Sequence, residues 1–195
     1  MLDFALACIF LIITPGPGVL SVAGVGSGFG FRAGSRYLWG LCFGNLMVAA
    51  LVVSGLAAAV FAIPYVREVL LVLSVAYMIY LAAKVAFAGS KIGFIEATQA
   101  PKFRDGIALQ AINPKAYVAN TVLFSGFSFL PEQLWSEVSI KLIIWTGIWI
   151  PIHFAWLLVG ITLRRMNLPE NVQRAINMFM AFSMLVVVGL ALANR

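Results

Sequence analysis

An amide, a proline and a cation follow one another inside a long apolar stretch, at Asn113, Pro114 and Lys115. Pro114 removes a hydrogen bond from any helix that contains it. A cation at bilayer depth costs roughly 2.5–3.5 kcal/mol on insertion scales and predicts a functional site by default. A second break lies at a corresponding place in the first half of the chain and consists of Thr14, Pro15, Gly16, Pro17 and Gly18.

These two breaks could bind a small molecule that carries both charges. The half-helix after a break presents free N–H groups and a positive dipole, which suit a carboxylate. The half before it presents free carbonyls, which suit an ammonium group. Lys115 can add charge for the carboxylate, and Thr14, Asn45 and Asn113 can add hydrogen bonds. A zwitterionic amino acid is therefore the predicted ligand. The alternative for Lys115 is a structural cation that caps the carbonyls exposed by Pro114.

His153 is the only histidine, and it lies among tryptophans. It could relay a proton, or it could be a packing residue whose hydrogen bonds are satisfied. No Asp or Glu falls clearly within an apolar span, so proton coupling through side chains would require Lys115 or His153 to titrate. Cys8 and Cys42 form no CxxC motif and no Cys/His cluster, which predicts buried packing residues. We predict no metal and no cofactor.

The elements that position these residues must be membrane helices. The 195 residues are 63% hydrophobic and 10% charged, whereas a soluble domain carries about 25% charged residues. Since a spanning helix needs about 20 apolar residues, the chain has room for five or six spans and no soluble domain. The net charge is +6, but the cations lie between apolar runs, where anionic lipid headgroups explain them better than nucleic acid does.

We predict six spans, at about residues 4–26, 37–61, 69–88, 106–130, 141–163 and 175–193. Arg32 and Arg36 form a short basic loop after the first span. Residues 131–137 form the loop before the fifth span, and the polar connection 89–105 is the longest in the chain. Gly40 and Gly44 lie on one helical face, which favours close helix contact.

The distribution of charge predicts an orientation. Nine Lys and Arg residues lie on one set of loop ends, three lie on the other, and Lys115 is the thirteenth. Because cytoplasmic loops are rich in cations, both termini are expected on the non-cytoplasmic side. Two halves of three spans each must enter the membrane from opposite sides. Pro15 and Pro114 lie 99 residues apart, close to half the chain.

The predicted fold is therefore an all-α integral membrane protein with six transmembrane helices. They form two inverted three-helix repeats, at about 1–98 and 99–195, and the first and fourth helices are interrupted at the proline motifs. Interrupted segments in corresponding positions of two halves indicate the midplane site of a transporter.

Several motifs resemble the lysine-exporter family of amino-acid efflux transporters, which includes homoserine/threonine exporters. Thr14-Pro15-Gly16-Pro17 with the glycines at 30, 34, 40 and 44 is similar to the start of that family. Asn113-Pro114-Lys115-Ala116 resembles its second motif. The pair Tyr77 and Tyr80 with Lys84 resembles its third helix, and Gly189-Leu190 its last. The similarity extends over nearly the whole chain.

The resemblance implies a bacterial inner-membrane exporter of amino acids or close derivatives, driven by the proton gradient. Two positions depart from the family pattern. Gly18 stands where the family commonly has asparagine, and Asn45 where many members have aspartate. The implied partners are a small zwitterionic amino acid and membrane lipid, and the oligomeric state is left open.

Three other classes were considered. A membrane-embedded enzyme would need a nucleophile–base pair or a metal cluster, and one histidine without a buried carboxylate supplies neither. A thiol-electron carrier would need reactive cysteines at the breaks. A structural subunit that packs through its glycine faces is the third alternative.

Overall fold

The structure, a computed structural model, describes residues 1–55, 100–166 and 168–193, together with the single positions 72, 76, 79 and 83. Within these residues the fold is all-α. The helices are α1 (Leu2–Ile13), α2 (Pro17–Val53), α3 (Phe103–Ala111), α4 (Pro114–Gly126), α5 (Leu134–Arg165) and α6 (Glu170–Ala193). The predicted third span and the tyrosine motif within it lie outside the described residues, apart from the single positions.

Both proline motifs separate two helices, as the sequence predicts. The first helix ends at Ile13 and the next begins at Pro17; the third ends at Ala111 and the fourth begins at Pro114. Each proline opens its helix because the first helical residue needs no N–H and because the proline ring fixes a helical φ. The two breaks therefore leave helix ends inside apolar stretches.

Helix α2 reverses direction at Gly30. This glycine has φ 78° and ψ −176°, which are not helical values. Gly18 and Asn45 line the same cavity, whereas a straight helix would hold them about 40 Å apart. Residues 17–29 and 31–53 are consequently two helical segments, and exposed Arg32 and Arg36 follow the reversal. The predicted basic loop is therefore wrong. The turn consists of Gly30 alone, and Arg32 and Arg36 lie in the first turns of the second helical segment.

Glycines bring the helices into backbone contact around these segments. A Cβ atom at Gly40 would lie 1.9 Å from the carbonyl oxygen of Phe103, and one at Gly106 would lie 2.6 Å from the carbonyl oxygen of Tyr37. A Cβ atom at Gly160 would lie 2.0 Å from the carbonyl oxygen of Ala23. Helices α3 and α5 therefore pack directly on the two segments of α2, and the predicted contact through Gly40 and Gly44 is confirmed.

One predicted loop residue is wrong. Glu137, which we placed in the loop before the fifth span, lies in the first turn of α5, and it forms an ion pair with Lys141 at 2.7 Å. Both side chains are buried. Glu137 accepts hydrogen bonds from the backbone N–H groups of Phe129 and Leu130, and Lys141 donates one to the carbonyl of Phe124. The pair holds the end of α4 and the following turn against α5, which is why the helix begins earlier than hydropathy predicts.

Two stretches of the described residues are long and apolar enough to cross a membrane by length and composition, Pro17–Val53 and Leu134–Leu163, although the first is divided at Gly30 into the two segments described above. Large apolar side chains also point outward in the described part of the chain, where Phe10 and Trp135 are each 75% exposed and Ile143 is 72% exposed. Apolar exposure of this extent fits a surface that meets lipid or another apolar helix.

Candidate functional site

Lys115 joins the two breaks. Its ammonium nitrogen Nζ donates a hydrogen bond to the backbone carbonyl of Thr14, the residue that caps the end of α1. This carbonyl is one of the last in α1 and has no donor within its own helix. Lys115, at the start of α4, therefore supplies the missing donor for a carbonyl of the first break. The structural alternative predicts a different partner, the carbonyls next to Pro114.

Gly16 lies directly against this side chain. A Cβ atom at Gly16 would lie 2.8 Å from Cδ and 3.2 Å from Nζ of Lys115. The backbone of Gly16 is extended, with φ −167° and ψ 177°. A glycine is needed here because of the room that the lysine takes, and the backbone conformation does not require one.

The second break is closed by its own side chains. The Asn113 side-chain oxygen accepts from the backbone N–H of Lys115 at 3.1 Å, which caps α4. Its amide nitrogen donates to Oε1 of Gln110 at 2.7 Å. The first break differs, since no side chain caps Gly16 at the start of α2. Of the two helix N-termini, that of α2 is the one with backbone donors left for a ligand.

A cavity of about 50 Å³ lies where these elements meet. A single water needs about 10–15 Å³ on the same measure, so the cavity holds a few water-sized groups. Its polar lining residues come from α2, α3, the second break, α4 and α5, and they are Gly18, Asn45, Gln110, Asn113, Lys115, Asn120 and His153. The apolar part of the wall includes Trp145 and Trp149.

The structure brings half of the predicted site residues to this cavity. Gly18, Asn45, Asn113, Lys115 and His153 line it. Thr14 touches the site only through its carbonyl, because its hydroxyl donates to the carbonyl of Phe10 at 2.6 Å. Pro15, Gly16, Pro17 and Pro114 shape the breaks without lining the cavity.

His153 is buried, and its ring is stacked on Trp149 with centroids 3.4 Å apart and planes 14° apart. Its Nδ1 lies 2.9 Å from the carbonyl oxygen of Trp149. A carbonyl only accepts, so Nδ1 carries the proton, and in the neutral ring Nε2 keeps its lone pair. Nε2 faces Gly18, where a Cβ atom would lie 3.6 Å away.

Two cavity residues, Gln110 and Asn120, are absent from the sequence prediction. Both are buried amides. Asn120 donates through Nδ2 to Oδ1 of Asn45 at 3.0 Å and to the carbonyl of Ala116 at 2.8 Å. Each is a polar side chain in an apolar run close to Pro114, and that signal could have found them.

The cavity offers both hydrogen-bond donors and acceptors, and one acceptor, Nε2 of His153, lies on the donor side, facing Gly18. Donors lie at the break side: the Lys115 ammonium, and the backbone N–H groups of Gly18 and Val19, which the first turn of α2 leaves without helical acceptors. The Gln110 side-chain nitrogen also faces Gly18, 3.8 Å from its Cβ position. Acceptors come from Asn45, Asn120 and His153. Among the described residues, no group of His, Cys, Asp and Glu could hold a metal ion.

Neither cysteine belongs to this site. Cys8 and Cys42 are both buried and unpaired with each other, as the sequence predicts, and neither is among the residues that line the cavity.

The comparisons with known proteins identify a family. A family model described as LysE type translocator matches residues 9–195, nearly the whole chain. The same comparisons find no match among the curated proteins and none among the solved structures.

Proposed function

This chain belongs to the LysE type translocator family, and from that premise we propose that it exports amino acids or close derivatives from the cytoplasm. Membership makes the protein a membrane translocator and confirms the resemblance seen in the sequence. The substrate, the driving force and the residues that bind the substrate are parts of the proposal.

The observation that carries the proposal is the hydrogen bond from Lys115 to the carbonyl of Thr14. It holds the two helix breaks at one cavity, so the charged and polar groups of both act on one ligand. The carboxylate of an amino acid binds at the uncapped start of α2, next to the Lys115 ammonium. This is the arrangement that helix N-termini and interrupted membrane helices offer to anionic groups.

The cavity also favours a small substrate. About 50 Å³ accommodates the charged ends of an amino acid and little side chain. In the proposed transport cycle the two halves of the chain, about 1–98 and 99–195, move against each other and expose the site to one side of the membrane at a time. The six spans form two inverted repeats, and the protein lies in the inner membrane with both termini on the non-cytoplasmic side.

The proton gradient is the proposed source of energy. Lys115 and His153 are the titratable side chains among the described residues that line the cavity. Proton binding at either one changes the charge that the substrate meets. An uncoupler is expected to stop efflux.

The proposal is tested by the Lys115→Gln variant. Cells that overproduce the wild-type protein should accumulate amino acids in the medium, relative to cells that lack it. The variant keeps the length of the side chain and loses its charge. Since hydrogen bonds of a charged group contribute roughly 1.5–3 kcal/mol, efflux should fall at least about tenfold while the amount of protein in the membrane is unchanged.

Lys102→Gln is the matched control, because Lys102 is exposed. Surface substitutions change free energies by less than about 0.5 kcal/mol, so this variant should export as the wild type does. If Lys115→Gln exports amino acids at the wild-type rate, Lys115 is not part of the binding site. If overproduction of the wild-type protein leaves the amino-acid content of the medium unchanged, amino-acid export itself is rejected.

A further inference from the structure

Asn120 carries a buried acceptor that the fold leaves unused. The side chain is 1% exposed, and within the described part of the chain its Oδ1 has no hydrogen-bond partner. Buried polar atoms are nearly always paired, and an unsatisfied one costs about 1–3 kcal/mol. The residue lines the cavity, so a ligand in the cavity can supply the missing donor.

The orientation of this amide is fixed by its neighbours. The carbonyl of Ala116 can only accept, and it lies 2.8 Å from the nitrogen of the Asn120 amide. Exchanging nitrogen and oxygen would set two oxygens against each other at that contact. The free atom of Asn120 is therefore the oxygen, an acceptor.

Two further acceptors line the same cavity. Oδ1 of Asn45 receives one hydrogen bond from Asn120 at 3.0 Å and has a second lone pair. Nε2 of His153 also keeps a lone pair, because Nδ1 donates to the carbonyl of Trp149, but it faces Gly18 at the start of α2. None of the three carries a formal charge when His153 is neutral.

A primary ammonium group matches this set. It has three N–H donors and no acceptor, and burying it without partners is unfavourable. The donors of the cavity, Lys115 and the start of α2, would repel it. The place for the positive end of a zwitterion is thus beside the side-chain oxygens of Asn45 and Asn120, which the hydrogen bond between these two amides holds together.

We infer that Asn120, together with Asn45, binds the ammonium group of the substrate and makes the site selective for solutes with a free amine. This inference rests on the proposed function and adds the residues that distinguish an amino acid from a plain carboxylic acid. Asn120 determines specificity, and Lys115 holds the carboxylate.

The test uses the full chain in proteoliposomes loaded with an equimolar mixture of the twenty standard L-amino acids, with efflux followed by mass spectrometry. The fastest-leaving amino acid gives a KM. The carboxylic acid with the same carbon skeleton, in which hydrogen replaces the ammonium group, gives an inhibition constant. The ratio of the two constants measures recognition of the amine.

Asn120→Leu removes the amide at similar volume. We expect the KM of the amino acid to rise at least about tenfold, which is the loss of one hydrogen bond to a charged group. The inhibition constant of the carboxylic acid should change less than about twofold. A purely structural role of Asn120 would weaken both ligands by the same factor, and that result overturns the inference.

Asn120→Ser covers the case in which the leucine variant fails to fold, because a serine hydroxyl can still donate to the carbonyl of Ala116. Its short side chain does not reach the position of Oδ1, so it should shift the ratio in the same direction as Asn120→Leu, by at least about threefold. An unshifted ratio overturns the inference. Thr121→Leu, on the exposed side of α4, is the matched control and should behave as the wild type.

The wild-type measurement separates the two proposals. If the wild type exports amino acids and the ratio of KM to inhibition constant is unshifted in both Asn120 variants, amino-acid export stands and the role of Asn120 is overturned. Absence of any efflux by the wild type overturns both.

Discussion

Single residues decide what the two breaks can do. Asn113 caps the start of α4 with its own side chain, whereas Gly16 at the start of α2 provides no side-chain cap. A sequence with two similar proline motifs thus produces two different sites. The backbone at the start of α4 has a side-chain cap, and the backbone at the start of α2 has none.

Gly16→Ala should disturb transport more than folding. The added Cβ atom would lie 2.8 Å from Cδ of Lys115, and the far end of a flexible side chain can move away. The lysine then leaves the carbonyl of Thr14. We expect efflux to fall several-fold, with a loss of stability of about 1 kcal/mol or less, since alanine is a poorer helix cap than glycine.

Gly28→Ala is the control for this variant, because a Cβ atom at Gly28 meets nothing within 4 Å. Its efflux should equal that of the wild type at matched amounts of protein. Equal efflux by Gly16→Ala would mean that the position of Lys115 is not restricted by Gly16.

At the scale of the elements, the described helices are held together by backbone contact as well as by side chains. Gly40, Gly106 and Gly160 each lie where a Cβ atom would come within 2.6 Å of a neighbouring backbone atom. Backbones cannot retreat as side chains can, so these contacts fix the separation of α2 from α3 and from α5.

Gly40→Ala should therefore destabilise the fold. The Cβ atom would lie 1.9 Å from the carbonyl oxygen of Phe103, and overpacking of this kind costs about 1–3 kcal/mol or more. The midpoint of thermal unfolding in detergent should fall. Gly147→Ala, where the Cβ atom meets nothing within 4 Å, should keep or raise the midpoint, because alanine favours a helix by about 1 kcal/mol.

A midpoint for Gly40→Ala at or above that of Gly147→Ala would contradict the close approach of α2 and α3. The comparison is matched, since both variants add one methyl group to a helical glycine.

The sequence was most informative where one residue has one physical consequence. Proline removes a helical hydrogen bond, and Pro15, Pro17 and Pro114 each lie beside a glycine or an asparagine that favours a helix end, so both breaks were predictable. Pro151 has neither beside it and lies inside α5. Gly40 and Gly44 share a face whatever the partner helix is. Glu137 and Lys141 were missed because hydropathy counts a charge as exposed, and it does not see that two charges four residues apart can neutralise each other when buried.

The cavity was only partly predictable for a related reason. Lys115, Asn113 and Gly18 belong to the breaks and stand out in the sequence, and Asn45 stands out as an amide beside Gly44 in an apolar span. Gln110 and Asn120 are isolated amides, and their role depends on which helix face meets Asn45 and His153. That information lies in the packing of α3 and α4 against α2, which no local pattern contains.

At the scale of the whole molecule, the proposed six spans fix the sides of the membrane. Nine of the thirteen cations lie on the proposed cytoplasmic ends, and the exposed Arg32 and Arg36 follow the reversal at Gly30. An even number of spans returns the chain to the side from which it started.

Reporter fusions at Arg195 test this orientation. Alkaline phosphatase, which folds only outside the cytoplasm, should be active, and green fluorescent protein should be dark when exported through the same route. A fusion after Ser35, next to the reversal, should show the opposite pattern. If the green fluorescent protein fusion at Arg195 is fluorescent, either the orientation is opposite to the proposed one or the number of spans is odd.

The link from Lys115 to Thr14 also bears on how the chain matures during synthesis. The two residues are 101 positions apart, and a ribosome adds about 5–20 residues each second. The carbonyl of Thr14 therefore emerges roughly 5–20 s before its donor has been made. Until then water or the insertion machinery must solvate it, and the earliest helices settle into their final arrangement only when the second half arrives.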